Sequence, residues 1–255
     1  NAVSGFVRWE RTSKNRPLTF YVGLGHAERP ADYWESYHTW RMHGALHPGA
    51  TRPAKEKNTQ LDLGWVYAGK KTNASLSLYY AHVDDFILRK PVGGYGNVDA
   101  RLYGLEAEVT RTVSPRWTLG ASLAYTRGDD RTNDAALPQI APLEANLTAK
   151  YSHKKAEANA VWRLVSKQNR YHKGYGSVTG TDYGPTGGFG ILSLSLAYRP
   201  DENLTFSLGV DNLFNKTYAE FVNYSEAPIP ALGISAGGHI TEPGRTIWFK
   251  SNYKF

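Results

Sequence analysis

The stretch that decides the fold runs Leu192-Ser193-Leu194-Ser195-Leu196-Ala197-Tyr198, turns through Pro200-Asp201-Glu202-Asn203, and returns as Leu204-Thr205-Phe206-Ser207-Leu208-Gly209-Val210. Large apolar residues take every second position on both arms, and Ser, Thr, Gly or Ala fill the positions between. Period-2 alternation is the mark of a strand with one apolar face. Pro-Asp-Glu-Asn is strong turn chemistry. The two arms therefore read as an antiparallel hairpin.

The same period recurs along the chain, while helical periodicity is nearly absent. It predicts eleven strands, near 2–12, 18–28, 58–69, 74–88, 98–112, 117–128, 142–152, 155–167, 188–199, 203–214 and 245–255. The connections alternate in length. Tight ones fall at 13–17, 70–73, 113–116, 153–154 and 200–203; longer ones cover 29–57, 89–97, 129–141, 168–187 and 215–244. Tight turns at one end and long loops at the other predict an all-β fold, a transmembrane antiparallel up-and-down β-barrel in the bacterial outer membrane. Strands of a soluble sandwich average about 5–6 residues, whereas these are long enough to cross a bilayer at a tilt. Trp65, Tyr67, Trp117, Tyr125, Tyr151, Tyr198 and Tyr253 mark strand ends, as interfacial girdles require. Glu106, Glu108, Asn146, Lys150, Asn159, Arg163 and Lys250 are expected on the opposite face.

Composition removes other classes. In 255 residues, 41% are hydrophobic, 13% aromatic and 21% charged, too aromatic and too lightly charged for a disordered chain. No apolar run approaches the roughly 20 residues of a membrane helix, but spanning strands need only about 9–11. The absence of Cys excludes disulfides, thiolate metal sites and Cys nucleophiles within these residues. With a single Met, a soft sulfur-rich metal site here is also disfavoured. The net charge of +7 suits anionic lipid, acidic ligands or nucleic acid. Lys and Arg are scattered rather than striped, which argues against nucleic acid. No Ser/His/Asp constellation stands out, so no enzyme is expected.

The last strand ends at Phe255, with Ile247, Phe249 and Tyr253 on the same face. Such an ending resembles the signal by which outer-membrane proteins are delivered to the barrel assembly machinery. Parity adds a further expectation. Single-chain bacterial barrels have an even number of strands, and eleven is odd. The segment is thus expected to be part of a larger barrel, cut at an external loop, with 2–12 unable to close on 245–255.

Several phrases resemble TonB-dependent outer-membrane receptors. Gly209-Val210-Asp211-Asn212-Leu213-Phe214-Asn215-Lys216-Thr217-Tyr218 is similar to the penultimate strand of that family, and Glu242-Pro243-Gly244-Arg245 to the opening of its final strand. Gly104-Leu105-Glu106-Ala107-Glu108 and Lys55-Glu56-Lys57-Asn58-Thr59-Gln60 resemble mid-barrel segments. The order and spacing match over essentially the whole chain. Asn97–Gly104, Pro138–Glu144, Trp162–Gln168 and Gly184–Phe189 resemble the copper-receptor subfamily. The resemblance implies a barrel of about 22 strands, of which residues 1–255 are the C-terminal half. It also implies a plug domain and TonB box outside this segment, and TonB-energised uptake of a metal or metal complex, copper foremost. A siderophore receptor is the alternative. A passive porin is disfavoured by these phrases and by its smaller barrel of about 16–18 strands.

The principal copper ligands implied by the resemblance lie upstream. Within this chain the candidates are His38, Met42, His43 and His47, since imidazole and thioether suit copper; His172 and His239 are weaker ones. Tyr33, Trp34, Tyr37 and Trp40 beside Arg29 and Arg41 would suit an anionic iron chelate. Both groups also read as ordinary surface-loop residues packed on their neighbours or on lipopolysaccharide. Five Asn-x-Ser/Thr triplets, the Gly184–Gly190 run and Asp84-Asp85 carry no supporting context; neighbours on a regular strand point to opposite faces.

Overall fold

The computed structural model describes residues 2–42, 45–46, 52–91, 94–225, 230 and 238–255, with the backbone alone at 37–42, 45–46 and 225. Eleven strands form the wall: β1 (Ser4–Thr12), β2 (Leu18–Arg29), β3 (Glu56–Ala68), β4 (Thr72–Arg89), β5 (Tyr95–Thr112), β6 (Trp117–Asp130), β7 (Glu144–His153), β8 (Ala156–Val165), β9 (Phe189–Tyr198), β10 (Leu204–Asp211) and β11 (Thr246–Tyr253). Each pairs antiparallel with the next in chain order. Among the described residues β1 and β11 each have one strand neighbour, so the wall is open and residues 2–12 do not close on 245–255.

The register sorts the side chains into two faces, because residues directly opposite in a ladder share a side. Trp9 lies opposite Val22, and the row continues through Leu63, Leu78, Leu105 and Tyr125. Ala121, Leu147, Trp162 and Leu192 make a second row, and Leu196, Leu208 and Phe249 a third. This is the outer, apolar face. All seven girdle aromatics expected from the sequence fall on it. The inner face carries Glu106 opposite Ser77, Glu108 opposite Ser75, Asn146 opposite Arg163, Lys150 opposite Asn159, and Lys250 opposite Ser207.

Some aromatics escape that division. Tyr21, Tyr79 and Trp248 lie inward, each over a glycine of the adjacent strand. A Cβ on Gly209 would sit 2.2 Å from the Trp248 ring, and one on Gly64 would sit 2.1 Å from the Tyr21 ring. Only glycine permits that approach, and the ring covers the backbone the glycine leaves bare. Trp248 also donates its indole N–H to Asp211 at 3.0 Å.

β4 and β5 are 18 residues each, beyond what a bilayer crossing needs. Their upper ends pack a small core inside the wall, where Val83, Ala100 and Leu137 are buried against Phe86, Leu102 and Ile140. A second buried group, Val165, Phe189 and Ile191, packs on Tyr218.

Four sequence expectations need correction. The 89–97 connection shrinks because β4 runs to Arg89 and β5 begins at Tyr95. The regular alternation assumed at Asp84-Asp85 fails: the register shifts between Val83 and Phe86, and Asp85 adopts φ 58. This bulge gives each carboxylate its own partner, His82 at 3.0 Å for Asp84 and Lys57 at 3.5 Å for Asp85. β10 stops at Asp211 rather than 214. Asn212 there takes φ 50, its amide donates to the Lys216 carbonyl, and its own side-chain oxygen accepts from the Lys216 N–H, both at 2.8 Å. Asn tolerates this left-handed conformation and closes the loop with its side chain. Finally, the 29–57 connection holds a helix, α1 (Tyr33–Trp40).

Candidate functional site

The long connections gather at the end of the wall where β2 ends and β3 begins. α1 starts there through a reciprocal cap. Glu35 N–H donates to Asp32 Oδ1 at 2.7 Å, and Asp32 N–H donates back to Glu35 Oε2 at 2.8 Å. Asp32-x-x-Glu35 is the local signal that the sequence reading missed, since periodicity over eight residues is too short to show a helix. Arg29 fastens the helix to the wall. It donates to Glu35 at 2.8 and 3.1 Å and to Glu56 at 3.1 Å. The Glu35 hydrogen bond, followed against burial by Glu56, raises the Arg29 pKa above its ordinary value. Arg29 is thus an anchor and not a free cation for a ligand.

The candidate residues of this loop separate in the structure. Tyr33 and Trp34 are well exposed and stack edge to face at 5.5 Å. The backbone places Tyr37, His38 and Trp40 on α1, and Arg41 and Met42 in a short pairing with Ala45 and Leu46. His43 and His47 lie outside the described residues. His172 stacks on Tyr175 at 3.6 Å, and its backbone N–H donates to Asp182. His239 packs edge-on to Tyr183 and faces the Gly184 carbonyl. Among the described residues, no three His, Cys, Asp or Glu side chains come together as a metal-binding group.

The other loops are held to one another and to the wall by buried and half-buried carboxylates. Asp182, 1% exposed, accepts from Gln139 N–H and Nε2 and from His172 N–H. Arg163 joins Glu144 at 2.6 Å to Glu220 on the 219–225 strand, which itself pairs with 238–241. Below them the inner wall forms a concavity of about 440 Å³ lined by Glu106, Glu108, Glu144, Ser75, Ser122 and Asn146 among others. Carboxylates and hydroxyls make it a wet, acidic surface that can pass cations or support an internal domain.

Of the terminal apolar residues, Ile247, Phe249 and Tyr253 lie outward. Ile247 faces Val210, Phe249 faces Leu208, and Tyr253 faces Leu204. Phe255 is fully exposed and meets Tyr253 edge-on at 5.3 Å.

An open antiparallel wall with an apolar outer belt and a polar inner face is the geometry of an outer-membrane barrel segment. The family model for TonB dependent receptor-like beta-barrels matches residues 4–213. The chain belongs to the TonB-dependent receptor family. The outer belt is therefore the face toward outer-membrane lipid. Among solved structures, the copper transporter OprC is 42% identical, with TM-score 0.89, over 99% of this chain and 39% of that one. The ferric enterobactin receptor PfeA of Pseudomonas aeruginosa superposes with TM-score 0.74 at 20% identity over the whole chain and 40% of its own, which speaks to fold alone. The catecholate siderophore receptor Fiu of Escherichia coli K12 is 24% identical over 183 residues, 68% of this chain. The chain spans 24% of the length of that receptor.

Proposed function

We propose that residues 1–255 are the C-terminal half of a TonB-dependent receptor barrel, with the plug domain and TonB box outside this segment. The whole protein then takes up copper across the outer membrane, with TonB supplying the energy through the plug. The observation that carries the copper reading is 42% identity to the copper transporter OprC along essentially the entire chain. In this reading the 29–57 loop, with His38, Met42, His43 and His47, hands copper inward without forming the tight site. Tight binding of a soft metal wants fixed thiolate or thioether ligands, and this chain has one Met. Ile247, Phe249, Tyr253 and Phe255 are the residues the barrel assembly machinery reads.

The second reading is a ferric siderophore receptor. The curated relatives named Fiu and ferric enterobactin receptor favour it, as do the exposed rings of Tyr33 and Trp34. The family is one of receptors and transporters, not enzymes. Accumulation of isotopically labelled copper and of a labelled ferric catecholate decides between the readings, in cells with and without the receptor and with and without TonB. TonB-dependent copper uptake is expected. Uptake of the iron chelate alone overturns the copper reading, and TonB-independent leakage of both overturns the energised one.

A further inference from the structure

We propose that the outer surface of the wall carries a built site for a phosphate group of the outer-leaflet glycolipid, formed by Arg101, Arg127 and Arg170 just above the aromatic girdle. The register locates it. On the outer face of β4, β5 and β6 the apolar belt ends at Tyr80, Tyr103 and Tyr125. One step further along the same face come His82, Arg101 and Arg127, with Asp129 opposite Arg101. Side chains at that level meet lipid headgroups, because the girdle marks the edge of the hydrocarbon.

The site is more cationic than its single carboxylate can balance. Arg101 contacts Asp129 at 2.7 Å, Arg170 contacts it at 2.6 Å, and Arg127 lies 3.5 Å from it. Three guanidinium groups thus share one carboxylate, and Arg170 donates in addition to the Gly128 carbonyl at 3.3 Å. The nearby Asp84 and Asp85 are engaged by His82 and Lys57. Asp130 points to the inner face and accepts from Thr132 and Asn133. Burial alone would raise the Asp129 carboxyl; the Arg101 hydrogen bond and the charges of Arg127 and Arg170 outweigh it and hold it below the usual carboxylate range.

Donor capacity remains unused. Among the described residues the Nε of Arg101 is buried with no hydrogen-bond partner, and the Nε of Arg127 is buried and reaches only to 3.5 Å from Asp129, an ion-pair contact without a hydrogen bond. A buried donor without an acceptor is costly, and phosphate oxygens accept from guanidinium forks in bidentate fashion. There is also room. Pairing of β6 with β7 stops at Ala124 and Glu144, and the seam above it holds a cavity of about 120 Å³ bordered by Tyr125, Arg127, Lys167 and Arg170. A cavity of that size takes several heavy atoms, given about 30 Å³ per water in the liquid. Arg101 and Arg127 stand on the lipid-facing side of their strands, not in the lumen; the cavity opens beside them in the seam and is also bordered by Leu137 and Ile140 of the inner core. The outward position of the two arginines selects a lipid-borne phosphate over a soluble anion in transit.

The test is native mass spectrometry of the detergent-purified full-length receptor titrated with diphosphoryl lipid A, dephosphorylated lipid A and inorganic phosphate. Wild type should retain diphosphoryl lipid A, lose most of that retention when the phosphates are removed, and not yield it to millimolar inorganic phosphate. The double change Arg127→Gln with Arg170→Gln should weaken retention about tenfold or more. Asp129→Asn, which removes the competing carboxylate, should strengthen it, whereas a merely structural Asp129 would weaken it. If the double variant fails to fold, as judged by heat-modifiable mobility, the Asp129→Asn result decides. Unchanged retention in the double variant, or weaker retention in Asp129→Asn, overturns the site. Displacement by inorganic phosphate overturns the assignment to glycolipid.

Discussion

Arg163 on the inner face of β8 is ion-paired to Glu220 of the 219–225 strand, while its other guanidinium nitrogen holds Glu144 of the neighbouring wall strand. One side chain thereby fixes an external hairpin to the rigid sheet. All three groups are partly buried, so removing the cation leaves two carboxylates facing each other without compensation. Arg163→Gln should destabilise the hairpin locally by about 1–3 kcal/mol. Hydrogen exchange should then quicken at 219–225 and 238–241 while β7 and β8 stay protected; an unchanged hairpin removes Arg163 as its anchor.

Leu194 and Ser193 test the assignment of faces. Leu194 lies opposite Ala160 and Val210 on the outer belt, and Ser193 opposite Val161 on the inner face. Leu194→Arg should cost about 2–4 kcal/mol near the midplane, and Ser193→Arg much less. Reversible unfolding from vesicles measures both, and equal costs would mean that the two faces are not distinguished by lipid.

Glu28 links β1 to the loop that precedes β3. Its carboxylate accepts from Lys55 Nζ at 2.5 Å and from the Val3 N–H at 3.0 Å. The Lys55 hydrogen bond, then that of Val3, lowers its pKa below 4.5. A lowered folded-state pKa means that the contact contributes fully above the unfolded value and fades as pH falls through the folded one, below 4.5. The Val3 amide resonance should titrate with a midpoint under 4.5, and Lys55→Ala should move that midpoint upward. A midpoint indifferent to Lys55 would refute the linkage.

For the loop candidates, changing His38, Met42, His43 and His47 together should leave equilibrium copper affinity of the full receptor within about tenfold, roughly 1.4 kcal/mol. Copper titration of the purified full-length receptor with and without the four changes reads this out. Uptake at low copper should slow. A loss of two orders of magnitude would put the principal site in this loop.

The sequence alone determined the wall. Period 2 is imposed residue by residue, because each side chain must choose lipid or lumen, so the eleven strands, their order and both faces were legible in positions such as Leu192 to Tyr198. Turn chemistry was equally local, as at Pro200 to Asn203. Even α1 was written locally, in the Asp32–Glu35 cap, although too briefly for periodicity to reveal. Most of what only the tertiary structure decided lies above the membrane, where one-sided solvation no longer enforces alternation. The bulge at Asp84-Asp85, the burial of Leu137 against Val83 and Ala100, and the inward rings of Tyr21 and Trp248 each depend on a partner far away in the chain. The meeting of Arg101, Arg127 and Arg170 around Asp129 is of the same kind. Arg170 arrives from a loop some forty residues downstream; contacts of that separation are set by how strands and loops pack, which no local pattern encodes.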